Sequence, residues 1–125
     1  VEHGWLSHNE FLNLIATMDI LLQVSFSETF NIVTADAVSQ ALPAVVSKEI
    51  SWVQSPKSDP TSVSDIEKTI HVIFNNRYNY AKRNIEGLKE YSNYAKNHWL
   101  NYLGVITNQN KSGCDYVKKI LKYVL

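Results

Sequence analysis

Two short apolar runs, residues 20–24 (Ile-Leu-Leu-Gln-Val) and 44–47 (Ala-Val-Val-Ser), stand about twenty residues apart with a stretch between them that is itself largely apolar. Runs this short, without polar alternation, fit strands covered on both faces, as in a parallel sheet. Between them Ile32, Val33, Ala35, Ala37, Val38 and Ala41 leave a helix little polar surface, and Pro43 stops it. Strand, helix, strand in about 30 residues is a βαβ unit, the building block of α/β folds. The expectation is a partial Rossmann-like parallel sheet with flanking helices and a helical C-terminal tail.

Elements on either side extend this pattern. Residues 1–5 read as a further strand ending at Gly4, where the backbone can turn sharply, so that two βαβ units run in series. Ser7 and Glu10 form a capping box opening a helix over residues 8–18, with Phe11, Leu12, Leu14, Ile15 and Met18 on one face. Beyond residue 53 the composition turns polar and proline-bearing, marking the end of the sheet. The pattern predicts a partial Rossmann-like region over 1–53 and a helical region over 54–125 that packs on it. In the latter, Ser64 and Glu67 read as a second capping box, with Ile66, Ile70, Ile73 and Phe74 on one side of the helix that follows. A longer helix is expected over 78–102, interrupted at Gly87 and ended by Gly104, then a loop over 108–113 and a terminal helix over 115–125.

The chain has 125 residues, 45% hydrophobic and 19% charged, the composition of one globular domain. Twelve basic and twelve acidic residues cancel, so nothing draws the chain as a whole to nucleic acid. No apolar run approaches the roughly 20 residues of a membrane span. Cys114 stands alone, so no internal disulfide forms, and a cytoplasmic setting is expected. A first residue Val1 inside a strand-like run suggests a piece of a longer protein.

The chemistry concentrates after the first apolar run, in Ser25-Phe26-Ser27-Glu28-Thr29-Phe30-Asn31 and Asp36. A helix starting near Asn31 directs the amides of Phe30, Asn31 and Ile32 toward the loop at the strand's carboxyl end, where α/β folds hold phosphates. Glu28 is placed to accept from sugar hydroxyls, and Asp36 from a ribose diol, as an acidic residue does in dinucleotide folds. The plainer alternative is a capped helix with an acidic dipole partner.

These residues also resemble a known family. Ser27-Glu28-Thr29-Phe30-Asn31-Ile32-Val33-Thr34-Ala35-Asp36-Ala37, followed by Ala41-Leu42-Pro43-Ala44-Val45-Val46, is similar to the signature in the C-terminal half of retaining GT-B glycosyltransferases, especially glycosyltransferase family 4. There a Glu, seven residues and a second Glu precede a Gly-x-Pro-Val strand. The Gly4-Trp5-Leu6 turn and the Asp19-Ile20 strand entry fall where that family has them, so the resemblance covers roughly the first half of the chain. It implies a nucleotide-diphosphate sugar as donor substrate, transfer with retention, no cofactor and no protein-bound metal. Glu28, with the backbone of Phe30, Asn31 and Ile32, would hold the sugar and phosphate; Asp36 would take the ribose, and Gly4 and Trp5 would lie by the base. A carbohydrate or lipid-linked acceptor, the phosphate-binding basic pair and the catalytic groups would belong to segments upstream, including an N-terminal GT-B domain. Asn31 replaces the family's glycine, Asp36 its glutamate and Ala41 the glycine of Gly-x-Pro. A noncatalytic nucleotide-sugar-binding or interaction domain is the alternative, and a sugar-nucleotide epimerase a third.

Other residues carry weaker signals. Lys48 and Glu49 follow a strand end and are candidates to line the cleft. His3, His8, His71 and His98 lack metal-ligand spacing and read as surface or capping residues, His3 alone lying near the expected base site. Trp5, Trp52 and Trp99 read as core or interface residues, and Tyr78, Tyr80, Tyr91, Tyr94 and Tyr102 as helix packing. Lys118, Lys119 and Lys122 beside Val117, Ile120, Leu121 and Val124 make a basic amphipathic helix. Docking on protein is its favoured role, and peripheral membrane contact the second.

Overall fold

The strands β1 (Leu21–Gln23) and β2 (Ala44–Val46) pair in parallel, Leu21 with Ala44, Leu22 with Val45 and Gln23 with Val46, and α2 (Ile32–Ser39) connects them. The computed structural model describes residues 2–104. Over these the fold is mixed α/β, with a two-stranded sheet and four helices: α1 (His8–Ile15), α2, α3 (Val63–Asn75) and α4 (Arg77–Tyr102). The expected βαβ unit is present once. Residues 2–7 form no strand, and Gly4 makes no positive-φ turn. The expected loop over 108–113, terminal helix over 115–125 and Cys114 lie outside the described residues.

Contacts divide the chain into two compact units, Val1–Lys89 and Glu90–Leu125. In the first, Val38 of α2, Ala44 and Val46 of β2 and Ile50, Trp52 and Val53 of the following loop form the main core, with Leu21, Phe30, Ala35, Ile85 and Leu88 packed against it. A smaller cluster joins Ile15, Ala37 and Leu42, with Phe11, Leu12 and Leu21 beside them. Leu21 thus serves both. All three residues of β2 are buried, as a doubly covered strand requires, whereas Leu22 of β1 is half exposed.

Helix ends depart from the expected positions for local reasons. The Ser7–Glu10 capping box forms, the Glu10 carboxylate accepting from the Ser7 amide at 2.8 Å and the Ser7 hydroxyl at 2.6 Å. These bonds hold the Glu10 carboxyl below its ordinary value. The helix ends at Ile15 rather than Met18, because Thr17 and Met18 donate to Leu14 and Ile15 in a tightened last turn. At α3 the cap is Ser62, whose hydroxyl accepts from the Asp65 amide at 3.2 Å; Ser64 is already inside the helix. The Asp65 carboxylate instead accepts from the Asp59 amide at 2.7 Å. Nor does the sheet stop cleanly at residue 53, since Val46 bridges to Lys57 in parallel.

Gly87 does not interrupt α4. It is buried where the helix meets the Trp52 carbonyl, and a Cβ there would lie 2.3 Å from that oxygen. One turn earlier Asn84, fully buried, accepts at Oδ1 from the amides of Gln54 and Ser55, both at 3.0 Å. A glycine for approach and an asparagine for two loop amides clamp the post-β2 loop to the helix.

In the second unit, the part of α4 from Glu90 onward carries Tyr94 stacked on His98, with ring centroids 6.0 Å apart, and Trp99 edge-on to Tyr102. Tyr91, Tyr94, Trp99 and Tyr102 are exposed, not packed as expected, and Tyr78 in the first unit is exposed too. Gly104, at φ 70°, takes the left-handed conformation anticipated for it.

Two substitutions are expected to move stability in opposite directions. Gly87→Ala forces Cβ against a backbone oxygen and lowers it by at least about 2 kcal/mol. Ala41 sits at φ 61°, so Ala41→Gly relieves left-handed strain and raises it by about 0.5–1 kcal/mol. Urea unfolding midpoints of the two variants check both signs.

Candidate functional site

The carboxyl ends of the strands meet at Ser25 and Ser47. The Ser25 amide donates to Ser47 Oγ at 3.4 Å, and Gln23 Nε2 donates to Ser25 Oγ at 3.1 Å. Ser25 Oγ in turn donates to Glu28 Oε1 at 3.3 Å. Glu28 is therefore half-buried and tethered to the strand end, with Oε2 taken by no side chain or amide among the described residues. A carboxylate held at one oxygen can accept hydroxyl hydrogens at the other.

Asn31 is the N-cap of α2, at φ 58° and ψ 91°. Its Oδ1 accepts from the Thr34 amide at 2.8 Å, so that oxygen serves the cap, not a ligand. The amides of Ile32 and Val33, in the first turn, have no intrahelical acceptor, and the Ile32 side chain is exposed. Phe30 is fixed from behind: its carbonyl accepts from Trp52 Nε1 at 2.6 Å, and the two rings lie 5.6 Å apart, tilted by 33°.

Asp36 lies one turn further along α2 and faces a different space. An open groove of about 720 Å³ is lined by His3, Gly4, Trp5, Leu6, His8, Phe11, Leu14, Val33 and Asp36. The structure thus brings the three residues expected at the nucleoside end, Gly4, Trp5 and Asp36, to one groove, with His3 beside them. Glu28, Phe30, Asn31 and Ile32 do not line it. Trp5 is wholly exposed, contrary to a core role, and presents an unpacked aromatic face.

His8 was legible only as a helix-start residue. It reaches across from α1, placing Nε2 3.2 Å from Asp36 Oδ2. Twenty-eight positions separate the pair, and no local pattern links them.

Lys48 lines a separate cavity of about 340 Å³ with Lys57, Ser58, Asp59 and Pro60, and Glu49 does not line it. Lys57 Nζ donates to the carbonyls of Ile50, at 2.8 Å, and Val53, tying down the loop after β2. Burial lowers its pKa from 10.5 to about 8. No group of three or more potential metal ligands occurs among the described residues, and no helix there is long and apolar enough to cross a membrane.

Comparison with protein-family models, curated proteins and solved structures gave no match for this chain.

Two measurements test this geometry. Trp52→Phe keeps an aromatic ring but removes the donor to Phe30 and part of the buried indole; stability is expected to fall by at least about 1 kcal/mol, with faster amide exchange over residues 28–34 than elsewhere. For Lys57 the sign follows from a depressed folded-state value. Below about pH 8 both states are charged and the desolvation cost is fully present; from about 8 to 10.5 only the unfolded chain keeps the proton, so stability rises with pH. Relative to Lys57→Met, the wild-type unfolding midpoint is expected to climb over that window, and parallel profiles would contradict a desolvated ammonium.

Proposed function

We propose that this chain is the donor-binding part of a retaining GT-B glycosyltransferase, a Rossmann-like half that holds a nucleotide-diphosphate sugar between the loop after β1 and the groove beside α1. The observation that carries the reading is conformational. Asn31 and Ala41 stand at the two places where family 4 has glycine, and they are the only non-glycine residues with positive φ among the described residues. The Leu42 amide donates to the Ala37 carbonyl at 3.1 Å, so Ala41 closes α2 as an ordinary left-handed helix end; an N-cap is ordinarily extended, and the left-handed Asn31 is what supports a shared backbone path.

In this reading Glu28 accepts from hydroxyls of the transferred sugar through its unoccupied oxygen. The backbone of Phe30, Asn31 and Ile32, leading into α2, faces sugar and phosphate, and Asp36 accepts from the ribose. The base lies by Gly4 and Trp5, where an exposed indole offers a stacking face. Transfer with retention breaks the bond from the sugar to the diphosphate, and the charge developing on the departing phosphate is met by amides and basic groups. The acceptor, a carbohydrate or a lipid-linked one, is held by an N-terminal domain outside this chain, in a cytoplasmic protein.

A second reading, a noncatalytic nucleotide-sugar-binding or interaction domain, draws on two side chains. The Asn31 oxygen is consumed by its cap, and one Asp36 oxygen is already engaged by His8.

The test uses the full-length protein and a panel of nucleotide-diphosphate sugars. Glu28→Gln is expected to lower kcat/KM roughly 10- to 100-fold, the worth of hydrogen bonds to a charged group. Unchanged turnover would remove Glu28 from the site. Calorimetric binding without turnover by the wild type would favour the second reading.

A further inference from the structure

We propose that His8 is a specificity-determining residue of the groove, reading the ribose diol of the donor jointly with Asp36. The inference rests on the donor-binding reading above and adds a residue to it. An ionised carboxylate can only accept, so the hydrogen bond between Asp36 Oδ2 and His8 Nε2 places the imidazole proton on Nε2. In the neutral ring Nδ1 is then an acceptor. Neither Nδ1 of His8 nor Oδ1 of Asp36 has a partner among the described residues. The pair therefore offers the groove two neighbouring acceptors, and a ribose offers two neighbouring hydroxyl donors.

Reach and exposure agree with this division. The Asp36 side chain is 22% exposed, recessed on α2, and one methylene shorter than a glutamate; the His8 side chain is 66% exposed and rises from the first turn of α1. A ring standing in the groove supplies the extension that the shorter acid lacks. The same groove carries Trp5, so a nucleoside seated with its base on the indole has its sugar within the space shared by Asp36 and His8.

Calorimetric titration of the full-length protein with uridine, guanosine, adenosine and cytidine diphosphates, and with the 2′-deoxy and 3′-deoxy forms of whichever binds, tests the proposal. The wild type is expected to favour the ribonucleotide by about tenfold or more over at least one deoxy form. His8→Ala is expected to abolish most of that preference by weakening the ribonucleotide while leaving the deoxy form unchanged. His8→Phe, which keeps a ring of similar shape but has neither nitrogen, is expected to lose the preference as well, and serves if the alanine variant fails to fold. An intact preference in both variants, or in the folding one, overturns the role of His8 while leaving the donor reading standing. A wild type that binds ribo and deoxy forms equally does the same. Failure of the wild type to bind any of the four diphosphates overturns both.

Discussion

Trp52 is the residue on which the rest of the structure depends. Its indole is buried in the core, its Nε1 holds the Phe30 carbonyl before α2, and its own carbonyl lies where only a glycine lets α4 approach. One side chain and one carbonyl thereby tie the loop before α2, the sheet and the covering helix together. Removing a polar group from water demands a partner, and here the partner for the indole N–H is the backbone of the very loop that carries the motif.

The loop after β2 repeats this logic. It has no regular structure, yet Ile50, Trp52, Val53 and Ser55 are buried. Its backbone groups are satisfied individually, two amides by Asn84 and two carbonyls by Lys57, and its own Ser55 hydroxyl donates to the Ala44 carbonyl of β2 at 2.7 Å. A buried loop costs its unpaired backbone unless each group finds a partner, which is why a lysine within it and an asparagine facing it from α4 are buried against it. The candidate site stands on this support, with a tethered Glu28 at the strand ends and the His8–Asp36 pair in the groove.

The elements with strong local signals were legible. The two apolar runs, the helix between them, the Ser7–Glu10 box and the left-handed Gly104 follow from patterns within a few residues. The first-strand reading was not borne out because residues 2–7, though partly apolar, pair with no other strand, and strand structure requires a partner. Ser62 displaced Ser64 as a cap because capping depends on where the chain enters the helix, which Asp65 and the loop before it decide. Gly87 read as a breaker from propensity alone, yet it serves helix packing. Among site residues, Asp36, Gly4 and Trp5 were chosen from the chain and share a groove, whereas His8 carried no sequence signal toward Asp36.

By itself the sequence determined the order of elements from α1 to α4, the βαβ unit and the residue types available for hydroxyl and phosphate recognition, because hydrophobic periodicity and capping act over a few residues. Only the tertiary structure decided which of those groups are free. It brought His8 to Asp36 across twenty-eight positions and made Trp52 the link between loop and core. The physical reason is that a hydrogen-bonding group can serve a ligand only after the backbone's own demands are met, and those are settled by contacts between residues far apart in sequence.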